Sequence, residues 1–161
     1  MSTRRMSARR AATLGMAALC AGLTACANTN ENPDSGALDG LAGPTWQVVA
    51  VYTDPDQPGA LPPDAAGRAA LTFGSSSMNG STGCAPVRSA ISASGDRLRL
   101  DEVEIDIPDT CVGGARHVHD TLTELLAPGS EFAVRRFGDT EAVLTRVGDE
   151  IDPPSIRVMS L

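Results

Sequence analysis

Lysine is absent from this 161-residue chain, and all thirteen basic groups are arginine, set against twenty Asp and Glu. Binding to a phosphate backbone needs clustered Lys or Arg. Nucleic acid and anionic lipid headgroups are therefore poor partners. Histidine is nearly absent too, with only His117 and His119 available as imidazole bases or metal ligands. Long apolar runs are missing: the single one, Ala11 to Ala25, is about fifteen residues, short of the roughly 20 that a membrane-crossing helix needs.

That run has a different meaning in its context. Arg4, Arg5, Arg9 and Arg10 precede it, no charge interrupts it, and it ends in Leu23-Thr24-Ala25-Cys26. A basic segment, an apolar segment and small residues before a cleavage point are the parts of a secretion signal. The ending resembles the lipobox of bacterial lipoproteins, which implies diacylglycerol on the Cys26 sulfur and removal of residues 1–25. Cys20 lies in the same run but lacks the small residues immediately before it. Two or three acyl chains hold a protein at a membrane where one would exchange, since each buried CH₂ contributes about 0.8 kcal/mol. The expected location is the extracytoplasmic face of the cell membrane. The pair Arg9-Arg10 also weakly matches a twin-arginine export signal, which carries folded cargo.

Residues 1–25 hold four of the thirteen basic groups and none of the twenty acidic ones, so a chain beginning at Cys26 has nine against twenty, or −11. Such acidity suits solubility at a crowded envelope. About 136 residues remain, enough for one domain with its own core. Residues 26–40 contain the polar, turn-rich stretch NTNENPDSGALDG and are expected to form a flexible tether. The folded domain is expected over residues 41–161.

Within it the dominant period is two. Trp46–Tyr52, Ala69–Phe73, Ser76–Ser81, Ser89–Ala93 and Arg97–Leu100 read as short strands separated by Gly, Pro and Asp, the last continuing through Val103, Ile105 and Ile107. Between Gly114 and Pro128 the period changes: Ala115, Val118, Leu122, Leu125 and Leu126 fall at helical intervals. Pro128-Gly129 stops this helix. Phe132–Phe137, Glu141–Val147 and Ser155–Met159 read as three further strands. The expected fold class is α+β, mainly β: an antiparallel curled sheet that packs its apolar face against one α-helix. Trp46, Leu71, Phe73, Leu122, Leu125 and Phe132 are its expected core.

The landmarks come in a recognisable order: Gly43-Pro44-Thr45-Trp46, Leu71-Thr72-Phe73, Gly80-Ser81-Thr82-Gly83-Cys84, Thr110-Cys111, the Leu122–Leu126 helix and Ala142-Val143-Leu144. Together they are similar to the META domain, also called the HslJ-like domain, across roughly Leu41 to Leu161. The chain has Ala85-Pro86 where the family usually has asparagine after Gly-Cys, and Asp109-Thr110 before the second cysteine where it has a small or Met-Ala pair. The resemblance implies an antiparallel curved sheet or open, cracked β-barrel packed on one α-helix, an envelope or secreted setting, no cofactor and no agreed activity.

Once Cys20 is removed and Cys26 is lipidated, Cys84 and Cys111 are left as an even pair in an oxidising compartment, which predicts a disulfide. No CxxC spacing suggests a redox or metal thiol pair. His117 and His119 point about 200° apart on a helix, so they do not converge on one metal ion and read as helix-surface residues. Asp101, Glu102, Glu104 and Asp106 alternate with apolar residues and lack a calcium-loop pattern, which makes them a solvated strand face. The loops Gly74–Ser77 and Gly80–Gly83 lack the spacing of a phosphate-binding loop or a nucleophile elbow. No metal, cofactor or catalytic residue is expected. Two functions remain open: a non-catalytic domain that binds an envelope protein or stabilises envelope assembly, and a carrier of a small apolar or lipidic ligand.

Overall fold

The structure is a computed structural model that describes residues 36–106 and 110–161. The segment 1–25, Cys26, the tether to residue 35, and Ile107 and Asp109 lie outside the described residues. The elements are β1 (Thr45–Tyr52), β2 (Ala69–Phe73), β3 (Ser77–Thr82), β4 (Pro86–Ser94), β5 (Arg97–Ile105), α1 (Gly113–Leu125), β6 (Glu131–Arg136), β7 (Glu141–Arg146) and β8 (Ser155–Ser160). This is the mainly β architecture with a single helix that the two periods predicted. Its sheet is a closed barrel. Each strand pairs antiparallel with the next, and β8 returns to pair with β1.

Closure requires strands to bend, and two bulges supply the bends. Val48 faces Val158 while Ala50 faces Arg157, leaving Val49 extra on β1. Ile91 faces Leu100 while Ala90 faces Glu102, leaving Asp101 extra on β5. Two seams are short: β1 meets β2 only over Thr45–Gln47, and β5 meets β6 only over Arg97–Arg99. Beyond the first, a loop segment takes the vacant edge. Val51 N–H donates to the Gly59 carbonyl at 2.8 Å, and Ala50 bridges Ala60.

Large apolar side chains fill much of the interior. Trp46, Leu71, Phe73, Leu98, Phe132 and Ile156 enter from the strands and α1 adds Ala115, Val118, Leu122 and Leu125, all buried. Every residue expected in the core is there. Full burial of a large aliphatic or aromatic side chain is worth about 1.5–3 kcal/mol, so this set dominates the favourable side of folding. The one indole donates its Nε1 proton to the Leu41 carbonyl at 2.8 Å, so Trp46 is buried without an unpaired donor.

The domain begins earlier than the composition suggested. Ala37 is 1% exposed and Leu38 packs against the core. Asp39 offers its carbonyl to Arg136. Two apolar residues in a polar stretch therefore suffice to fold residues 36–40 onto the barrel, and the tether reading does not hold for them.

Helix α1 packs against β1 and β3. Its N-cap, Val112, has no side-chain oxygen to offer. Asp64, from the loop between β1 and β2, supplies one: Gly114 N–H donates to its Oδ2 at 2.7 Å. A carboxylate there also meets the positive end of the helix dipole. Gly114 has to be glycine, because a Cβ would run into Asp64 and Pro62.

Candidate functional site

Sequence reasoning singled out Cys84, Cys111, His117 and His119, and the fold gathers all four around α1. Cys84 sits in the tight turn between β3 and β4; Cys111 lies just ahead of the helix. Their sulfurs are joined in a disulfide, with the Cα atoms 5.7 Å apart. A second link lies beside it. Thr82, fully buried at the end of β3, places its hydroxyl 2.7 Å from His119 Nδ1.

His119 is thus not the surface residue its spacing from His117 suggested; it is 5% exposed. The reason lies in the helix period. Ala115, His119, Leu122 and Leu126 form a row at intervals of four, three and four residues, which is the buried face. That row was the available signal.

The Thr82 hydroxyl also closes the turn. It accepts from Ala85 N–H at 3.2 Å and lies 3.1 Å from the Ala85 carbonyl. A hydroxyl has one proton to give. If it goes to the Ala85 carbonyl, His119 donates through Nδ1; if it goes to His119, the ring proton sits on Nε2. In both arrangements the imidazole is paired and serves structure. The whole cluster works as a clamp on the β3–β4 turn, tying the lead-in to α1 covalently at Cys84 and the middle of α1 by hydrogen bond at Thr82.

His117 takes the opposite side of the helix and is exposed. With Thr121 it forms one wall of a cleft of about 270 Å³ whose other wall is the loop after β1, including Asp54, Gln57 and Leu61. A carboxylate, an imidazole and a hydroxyl sharing a cleft are the components of hydrolytic sites, so their connections decide the matter. Thr121 donates its hydroxyl proton to the His117 backbone carbonyl at 2.9 Å, away from the ring. Asp54 accepts from Asp56 N–H at 2.9 Å and from Gln57 Nε2 at 3.1 Å, so it shapes its own turn. Among the described residues no hydrogen bond links the His117 ring to either group. Among the described residues the cleft therefore shows no hydrogen-bonded set of nucleophile, base and orienting acid.

The acidic residues of β5 lie where the alternation placed them. Asp101, Glu102 and Glu104 are exposed on the outside of the barrel. Arg99 relieves Asp101 at 3.4 Å. Arg97 instead meets Asp96 and Glu131. Among the described residues, no three His, Cys, Asp or Glu side chains converge as a metal set.

No protein-family model matches the chain, and no curated protein matches it. Among solved structures, it is similar to an NMR structure of a protein from Burkholderia xenovorans, at 14% identity over 78% of this chain and 86% of that one, with a TM-score of 0.57. The likeness is one of fold. A second NMR structure, also 14% identical, covers 74% of this chain and 91% of its own with a TM-score of 0.48.

Proposed function

We propose that this chain is an exported lipoprotein, anchored through lipid on Cys26 at the extracytoplasmic face of the cell membrane. Its META-like, HslJ-like domain is a non-catalytic module that binds an envelope protein or supports envelope assembly. The observation that carries this reading is the order basic segment, apolar run, Leu23-Thr24-Ala25-Cys26. The Cys84–Cys111 disulfide supports it independently, because such bonds persist in oxidising compartments outside the cytoplasm.

The filled barrel favours protein binding over carriage of an apolar or lipidic ligand. A carrier needs an apolar cavity, and the centre of this barrel is occupied by Trp46, Phe73 and Phe132. The cleft beside His117 is lined by polar groups along with its apolar ones, which suits no lipid tail. Intact mass of the protein purified from bacterial membranes tests the anchor. A mass for residues 26–161 plus acyl groups, heavier by two hydrogens after reduction, is the expected result. An unlipidated mass with a different N-terminus would overturn it.

A further inference from the structure

We propose that the free edge of β5, from Glu102 to Ile105, docks an extended segment of a partner protein as an added strand, and that this segment carries arginine or lysine at alternate positions. The inference rests on the protein-binding reading and names its surface. β5 pairs with β4 along its length to Ile105, but β6 leaves it after Arg99. Leu100 is the last residue served on that side: its N–H donates to Ser130 O at 2.9 Å and its carbonyl accepts from Gly129 N–H at 2.7 Å.

Beyond the bulge at Asp101 the direction of the backbone groups can be worked out. Ile91 N–H donates to Ser76 O, toward β3, so alternate β4 residues Ala90 and Arg88 face β5 and bond Glu102 and Glu104. Val103 and Ile105 therefore turn their N–H and C=O groups away from β4. Among the described residues no backbone group of another element meets them. The matching gap beside β1 is filled by Gly59 and Ala60; among the described residues nothing fills this one.

An unpaired sheet edge is a template for another strand. Its side chains select which one. Glu102 and Glu104 stand exposed on the outer face beside a shallow depression of about 220 Å³ that they line with Asn79 and Arg88. Arg88 is opposite Glu104 in register, yet the two form no ion pair. A strand laid along the edge would set its outward side chains beside the two glutamates, where opposite charges attract and like charges repel. A second copy of this chain would set glutamate against glutamate, so a basic partner segment fits and self-pairing does not.

The test uses the full-length lipoprotein in detergent and a seven-residue peptide of alternating Arg and Val, with a Glu-for-Arg peptide as control. Fluorescence anisotropy should show binding of the Arg peptide alone, and amide exchange should slow at Val103 and Ile105. Val103→Pro removes an outward N–H without touching the β4 ladder and should weaken binding by about tenfold or more. Glu102→Arg with Glu104→Arg, at exposed positions that leave folding intact, should reverse the preference between the peptides. Equal binding to wild type and to a folded Val103→Pro variant, an unchanged preference in the double variant, or no binding would each overturn the edge.

A photo-crosslinking residue placed at 104 or at 117, in membranes, separates this inference from the reading beneath it. Crosslinks at 104 that the Arg peptide competes away support the edge. Crosslinks at 117 alone overturn the edge and leave protein binding standing, whereas none at either position overturns both.

Discussion

His119 Nδ1 and the Thr82 hydroxyl lie 2.7 Å apart across the junction of α1 with β3. Neither group can reach bulk water easily, since Thr82 is fully buried and His119 nearly so. A buried polar group that loses its partner keeps its desolvation cost without return. Thr82→Val removes the partner of the ring and of Ala85 N–H together. It should cost about 1–3 kcal/mol in urea unfolding, and Thr82→Ser, which keeps the hydroxyl, should recover most of that. A loss from Thr82→Ser with none from Thr82→Val would mean that the methyl group, and not the hydroxyl, matters.

The disulfide is the second half of the same clamp. It joins residues 27 apart, for which the chain-entropy account gives about 3.5 kcal/mol. Cys84→Ser with Cys111→Ser should lower stability by about that amount, and reductant should then have no further effect on the unfolding midpoint. A variant as stable as wild type would show that the disulfide adds nothing to the hold on the helix.

Asp64 is expected to act on a helix that begins some fifty residues later in the chain. Asp64→Ala leaves Gly114 N–H without its acceptor, and loss of a helix cap typically costs about 1 kcal/mol. Hydrogen exchange should quicken first at Gly114 and Ala115. Unchanged exchange there would remove the cap from the account of why α1 starts at Gly113.

Leu122→Ala opens a cavity where α1 meets the barrel wall and should cost about 2–5 kcal/mol, by chemical denaturation. The exposed neighbour Thr123→Ala should cost far less. A small loss at Leu122 would mean that the helix rides on the barrel surface without belonging to its core.

Cys26→Ser should prevent acylation and move the protein from the membrane to the soluble extracytoplasmic fraction. Retention in washed membranes would show that something other than lipid on Cys26 holds it there.

Much of this fold was legible because the two periods are strong and local. Strands such as Arg97-Leu98-Arg99-Leu100 alternate cleanly, and one face of α1 is apolar from Ala115 to Leu126. Barrel closure was not legible: whether β8 finds β1 depends on the accumulated bend at Val49 and Asp101, which no window of sequence records. The cap from Asp64 escaped for the same reason, as its partner is remote. The burial of His119 shows in its row with Ala115, Leu122 and Leu126 and not in its two-residue spacing from His117. The pairing of Cys84 with Cys111 was readable by counting, but the Thr82 contact beside it needed coordinates. Of the cleft, only His117 had been singled out, and what it faces comes from a loop whose path is fixed by Gly59 and Ala60 on the edge of β1.

The pairing of β1 with β8 also bears on the order in which the ring forms. β2 to β5 and β6 to β8 are runs of neighbouring strands, each able to zip up over short loops. The closing contact instead joins Trp46 to Ser160, more than a hundred positions away. Contacts across so long a loop bear a large closure entropy and tend to be made late. Two open meanders would therefore come first, with β1 the strand that waits, and slowing of refolding should be greatest for substitutions inside the meanders rather than along β1.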